Sequence, residues 1–148
     1  MKQTIILITL LLIGSMIYSQ TILGGTFRND TTLTATGNPY HVSSFITVPD
    51  SVTLTLGAGV NLVFGDAVSM EVFGAFISNG QPGNEVVLED AAKRGMYPGW
   101  SGVRVFGKAT IQYTHFVKGE PALEFGSFST MSNQVSLVRH CTFDSSFV

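Results

Sequence analysis

One cysteine, 5 prolines and a low charge content are what this chain has least of. The single Cys141 excludes an intrachain disulfide framework and a Cys-rich zinc site. Charged residues make up 12% of the 148, which excludes a charged coiled coil and an acidic disordered tail. Lys and Arg number 8 against 10 acids, a net charge of −2, so no basic footprint for nucleic acid exists. Gly is 16 against so few prolines, which excludes collagen. A capped amphipathic helix is also missing: past Thr21 no segment sustains a 3.6-residue apolar stripe. The one helix candidate is Leu88-Glu89-Asp90-Ala91-Ala92-Lys93-Arg94, one or two turns ending at Gly95, and a loop reads as well.

What is present begins with an address. Lys2 supplies a positive start, residues 5–13 are apolar except for Thr9, and residues 14–19 are more polar. This is the layout of a secretory signal peptide, with the expected cut after Ser19 and Ile17 at the −3 position. The rival reading, an uncleaved anchor, has only 14 residues (5–18), short of the roughly 20 that span a bilayer. A lipoprotein anchor needs a Cys at the cut, and no later apolar stretch has membrane length. Cleavage removes Lys2 and leaves 7 basic and 10 acidic residues.

From there on, period-two alternation dominates. Val52-Thr53-Leu54-Thr55-Leu56-Gly57 reads apolar, polar, apolar, polar, apolar, turn. Val60-Asn61-Leu62-Val63-Phe64-Gly65 repeats it, and so does Val68-Ser69-Met70-Glu71-Val72-Phe73-Gly74. Each unit is a short strand with one face inward, closed at a corner. Val52, Val60 and Val68 are eight apart, so they either stack on one another or lie around one ring. A longer repeat follows: Ile111, Tyr113, Thr114 and Phe116 align with Val138, His140, Cys141 and Phe143 at an offset of 27. Val103-Arg104-Val105 aligns with Leu123-Glu124-Phe125 at an offset of 20. A fixed strand pattern with unequal spacing means repeats joined by loops of different length, which a solenoid tolerates.

Particular residues carry a family resemblance. Asn38-Pro39-Tyr40-His41-Val42, followed by Ile46-Thr47-Val48-Pro49-Asp50-Ser51-Val52-Thr53-Leu54-Thr55-Leu56 and Val60-Asn61-Leu62-Val63-Phe64, resembles the opening of secreted bacterial right-handed parallel β-helix proteins of the pectate-lyase-like superfold. Pro98-Gly99-Trp100-Ser101-Gly102-Val103-Arg104-Val105 is similar to a tryptophan-bearing coil of that family. The segments from Ile111 to Phe116 and from Val138 to Phe143 are similar to its Asn-Cys coils. The chain departs from the pattern at Asp50-Ser51, where the family often has Gly, and at Ala58, where it often has Pro. The resemblance covers about residues 27–146 and specifies fold far better than function, because this fold hosts lyases, hydrolases, adhesins and passive surface repeats. It implies an all-β, right-handed parallel β-helix with a signal peptide at 1–19, an N-terminal cap or lead-in at 20–43 and coils at 44–148. No polar terminal cap is visible near Val148, so the coils are expected to be incomplete, as the N-terminal part of a longer protein or a shortened gene product; the alternative is a small β-helix whose end is covered by an oligomer partner.

The chemistry-bearing residues each have a plain structural reading. Cys141 aligns with Thr114, an inward position, and reads as a sealed core thiol. His41, His115 and His140 are spaced too widely for a metal motif, and His140 falls at the corner of Tyr113, where their rings would stack. Glu85, Glu89 and Asp90, near Lys93 and Arg94, read as a solvated loop rather than a calcium-and-base cluster. Asp66 and Glu71 would make a glycosidase pair only if neighbouring coils brought them together. The outward Thr53 and Thr55 fit an ice-binding array, but the next units put Asn61 and Val63, then Ser69 and Glu71, in their place. Trp100 reads as a core or edge residue, with sugar stacking as its functional alternative.

These readings lead to a secreted or cell-surface, non-catalytic scaffold whose elongated surface serves adhesion or contact with a polysaccharide or cell-surface glycan. Trp100 and Arg104 are the candidate ligand-binding residues. No catalytic residue, cofactor or metal is expected, nor a nucleic-acid partner or a transmembrane segment after cleavage; further coils of the same protein are the expected neighbour. The alternative is a polysaccharide lyase or glycoside hydrolase whose catalytic coils lie beyond this chain.

Overall fold

A computed structural model describes residues 20–92, 99–126 and 135–144. They form an all-β structure of fourteen strands and one 3₁₀ turn (Ala35–Gly37). All pairings between these strands are parallel.

The strands fall into three stacks that the chain visits in a fixed order. A five-stranded sheet holds β2 (Thr31–Leu33), β4 (Thr53–Leu56), β7 (Ala75–Asn79), β10 (Lys108–Gln112) and β13 (Leu137–Arg139). A nine-stranded sheet has two arms joined through β3 (Tyr40–Val48). Residues 40–42 of β3 pair with β5 (Asn61–Phe64), and β8 (Val86–Asp90), β11 (Thr114–Val117) and β14 (Thr142–Asp144) follow in this first arm. Residues 46–48 pair with β6 (Met70–Val72), and β9 (Val103–Val105) and β12 (Leu123–Phe125) follow in the second arm. β1 (Thr21–Thr26) lies along β3 over both arms.

The eight-residue beat therefore runs around a ring. The strands that follow Val52, Val60 and Val68 are β4, β5 and β6, one in each stack. No antiparallel hairpin joins them, and the one antiparallel contact among the described residues is the isolated bridge between Gln81 and Asn84. The downstream repeats are the true vertical neighbours. Ile111 pairs with Val138 and Phe116 with Phe143, at the offset of 27, while Val103 pairs with Leu123 at the offset of 20.

Alternation sorts side chains strictly. In β4, Leu54 and Leu56 are buried while Thr53 and Thr55 face out. Inward residues form columns such as Leu62–Leu88–Phe116 and Met70–Val103, each 0% exposed. Each fully buried side chain of this size contributes about 1.5–3 kcal/mol of transfer free energy. The corners need glycine where layers approach closely. A Cβ at Gly74 would collide with the carbonyl oxygens of Pro49 and Val52, and one at Gly107 with those of Phe73 and Gly74.

Three expectations change. The boundary expected between residues 43 and 44 falls inside β3, and residues 20–43 already carry β1 and β2 in parallel register with the layer that follows. The helix candidate at 88–94 begins as strand, because Leu88, Glu89 and Asp90 belong to β8 and pair with strands on either side; residues 93 and 94 lie outside the described set. Val138 and Phe143, whose alignment with Ile111 and Phe116 implies the same inward position, are 39% and 52% exposed where Ile111 and Phe116 are buried. They lie on β13 and β14, and among the described residues no strand stacks beyond these two. The expected signal peptide lies outside the described residues.

Candidate functional site

Arg104 stands at the middle of β9 and points outward from the second arm. Parallel register places Glu71 of β6 on one side of it and Glu124 of β12 on the other. The guanidinium Nη1 lies 3.9 Å from Glu71 Oε1, and Nε donates to Glu124 Oε2 at 3.1 Å. The three side chains are 42%, 39% and 51% exposed, so solvent screens the ladder. Two residues along, Phe106 stacks on Phe73 at 5.1 Å with planes 15° apart. This half-buried aromatic pair forms the corner between the second arm and the five-stranded sheet.

Beyond that corner, the outward side of the five-stranded sheet carries a shallow cavity of about 140 Å³, lined by Thr53, Ala75, Phe76, Ile77, Lys108 and Thr110. Thr53, Ala75 and Lys108 form one row, and Thr32, Thr55, Ile77, Thr110 and Leu137 the next. The ice-binding array is thus interrupted by Ala75 and Ile77. Asn61, Val63 and Glu71, expected in that row, belong to the two arms instead. A third row holds Asn79, Gln112 and Arg139, with Gln112 Oε1 accepting from Arg139 Nε at 3.1 Å and Nη2 at 2.6 Å. Sequence reasoning missed Lys108 and Arg139. Their rows have offsets of 33 and 27, unequal because excursions of different length separate the strands.

Trp100 is corrected. Its ring is 1% exposed, stacked on Phe64 at 4.4 Å, and its Nε1 donates to Val117 O at 2.8 Å. An indole held this way offers no face to an external sugar, and its core reading holds. Trp100 and Arg104 therefore do not form one site: the first is core, the second surface.

Cys141 is also corrected. It is half-buried rather than sealed, with Sγ 3.2 Å from Arg139 O, because it belongs to the exposed β13–β14 layer. Of the three acids read as a solvated loop, Glu85 lies in an exposed loop, its Oε1 accepting from Gly83 N–H at 3.0 Å, whereas Glu89 and Asp90 belong to strand β8. Glu89 faces out from β8 and accepts from Asn61 Nδ2 at 3.0 Å, whereas Asp90 points inward, 3% exposed, and accepts from Ala92 N–H at 3.0 Å. His140 stacks on Tyr113, as the alignment implied. His41 lies on β3 and His115 on β11, both on the outer side of the first arm. Asp66 occupies a corner and Glu71 a strand of the same circuit. Among the described residues no three His, Cys, Asp or Glu side chains gather to hold a metal, and no helix is long and apolar enough to cross a membrane.

No protein-family model, curated protein or solved structure matches the chain.

Proposed function

We propose that the chain is a secreted or cell-surface protein whose parallel layers form a right-handed β-helix solenoid, with residues 1–19 as its signal peptide. Its role is that of a non-catalytic scaffold, presenting an elongated surface for adhesion or carbohydrate contact. The observation that carries this reading is the register. Outward side chains of successive layers fall into straight rows, as Glu71, Arg104 and Glu124 do. Such rows let surface chemistry vary residue by residue over an unchanged apolar core. Arg104, beside the half-buried Phe73 and Phe106 pair, combines a hydrogen-bonding fork with aromatic surface, which suits a sugar's hydroxyls and C–H faces.

The test is affinity electrophoresis of the whole protein in gels containing soluble polysaccharides, with product formation followed in parallel mixtures. Retardation without new reducing ends or unsaturated products is expected, weakened by Arg104→Ala. Sustained product release would overturn the non-catalytic reading. Absence of both retardation and cell-surface adhesion would overturn the contact role.

A further inference from the structure

We infer that Asn79 is a modification site that the fold keeps closed: its side-chain amide is exchanged for water only when the ladder between β7 and β10 opens, and the isoaspartate product then prevents that ladder from closing again. This goes beyond the carbohydrate-contact reading and is independent of it, because it needs no ligand.

The sequence supplies the reacting pair. Of the six asparagines, at 29, 38, 61, 79, 84 and 133, Asn79 is the one followed by glycine. Gly80 has no Cβ to shield its nitrogen, and an unpaired glycine backbone turns freely toward the preceding side chain. In an open Asn-Gly segment a base takes the Gly80 N–H proton and the nitrogen attacks Asn79 Cγ. The new C–N bond closes a cyclic imide, the Cγ–Nδ2 bond breaks, and ammonia leaves. Water then opens the ring. Attack at Cγ restores the main chain and leaves aspartate at position 79. Attack at the main-chain carbonyl carbon routes the chain through Cγ and leaves isoaspartate. Nothing is oxidised or reduced; one water enters and one ammonia departs.

The fold withholds both partners. Asn79 ends β7 as an extended residue whose exposed side chain stands off the sheet. The Gly80 N–H lies in the sheet and donates to Gln112 O at 3.1 Å. Its proton is therefore engaged, and the nitrogen is aimed at the neighbouring layer rather than at Asn79 Cγ. Gly80 is also held by contact: a Cβ there would collide with Tyr113 O and stand 3.0 Å from Gln112 O. The close approach of the layers thus requires the very glycine that makes Asn79 labile.

Opening of the ladder releases these restraints together, so the reaction rate follows the opened fraction. Isoaspartate carries one extra main-chain carbon, about 1.5 Å of added length. Gly80, in contact with Tyr113 O and Gln112 O, has no space to absorb that displacement. The aspartate product leaves the main chain unchanged and sets a carboxylate beside Gln112, so the ladder recloses.

The experiment incubates the whole protein in mildly alkaline buffer, folded and in urea, and follows residue 79 by peptide mass mapping, with enzymatic isoaspartyl methylation separating the two products. Exchange of ammonia for water at residue 79 is expected in urea, and at least about tenfold more slowly in the folded chain. Ile111, 0% exposed and paired with Ser78, packs behind the same ladder, so Ile111→Ala should raise the folded rate several-fold. Ile111→Val replaces it if the alanine variant is unfolded. Asn79→Gln, whose longer side chain closes its ring far more slowly, should suppress the change at this position in both conditions. Chains carrying isoaspartate should show a lower urea midpoint than unmodified chains or chains carrying aspartate. Equal rates in the folded chain and in urea, or a folded Ile111 variant that reacts like its parent, overturn the gating. Isoaspartate chains with the parental midpoint overturn the block on closing, and an unchanged residue 79 in urea overturns the site itself.

Discussion

His140 lies flat over Tyr113, with ring centroids 4.6 Å apart and planes 10° from parallel. Both residues have left-handed backbone, φ 52° and 45°. Each follows a strand of the five-stranded sheet and turns the chain into the first arm, so one corner is built twice with rings in contact. A non-glycine residue held there costs on the order of 1 kcal/mol, and a stacked aromatic pair contributes about 0.5–1.5 kcal/mol. The two effects nearly cancel. Tyr113→Gly, which relieves the backbone while losing the ring, is expected to shift urea-denaturation stability by less than about 1 kcal/mol. Tyr113→Val keeps the backbone cost, adds β-branching and loses the stack, so roughly 2 kcal/mol or more should be lost. Indistinguishable stabilities for the two variants would show that the corner is unstrained.

Phe116 and Phe143 also stack, at 4.9 Å and 4°, but occupy unequal environments: 0% and 52% exposed. Phe116→Ala should cost about 3–5 kcal/mol, as other buried aromatic truncations do. Phe143→Ala removes a half-exposed ring and should cost less than half as much. His115→Ala, at an outward position of the same strand, should cost under about 0.5 kcal/mol. Denaturant midpoints of the three variants check the ranking, and equal losses for the two phenylalanines would put both rings in the core.

These pairs also show where sequence is sufficient and where it is not. The offset of 27 was legible because Ile111 and Phe116 recur as Val138 and Phe143 with the same alternation between them. The strands after Val52, Val60 and Val68 were legible as strands. Their placement around a ring was not, since alternation fixes which face is inward but not which strand lies alongside. Glu89 and Asp90 read as helix or loop because Leu88 is followed by seven residues, 89–95, without a large apolar side chain. Pairing with β5 and β11 overrides that local signal. The exposure of Phe143 was invisible because burial depends on the layer above, not on the residue. Arg104 was noticed inside a motif, whereas Lys108 shares a row with Thr53 and Ala75, residues that carry no charge to align with it.

The ladder of Glu71, Arg104 and Glu124 should contribute little to stability despite its regular geometry. All three side chains are more than a third exposed, and exposed pairs are worth about 0–1 kcal/mol. Glu124→Gln, which keeps the shape and removes the charge, is expected to lower stability by less than about 1 kcal/mol, with the difference fading at high salt. A larger loss that persists at high salt would mean that the ladder is shielded from solvent.

Cys141 gives the most direct probe of the layer formed by β13 and β14. Its Sγ approaches Arg139 O at 3.2 Å and Ile111 O at 3.8 Å, and the residue is half-buried beside the exposed Val138 and Phe143. The thiol one layer down would be different: Thr114, adjoining His115, which pairs with Thr142, is 1% exposed and hydrogen-bonded to Ser78 Oγ at 2.7 Å. A bulky thiol reagent should therefore label native Cys141 without unfolding, more slowly than in urea. Thr114→Cys, placed in a Cys141→Ser background, should label only through opening of the fold, because the thiolate must be reached before it can react. Slow native labelling of Cys141 at the rate of the Thr114→Cys control would show that the layer formed by β13 and β14 is covered.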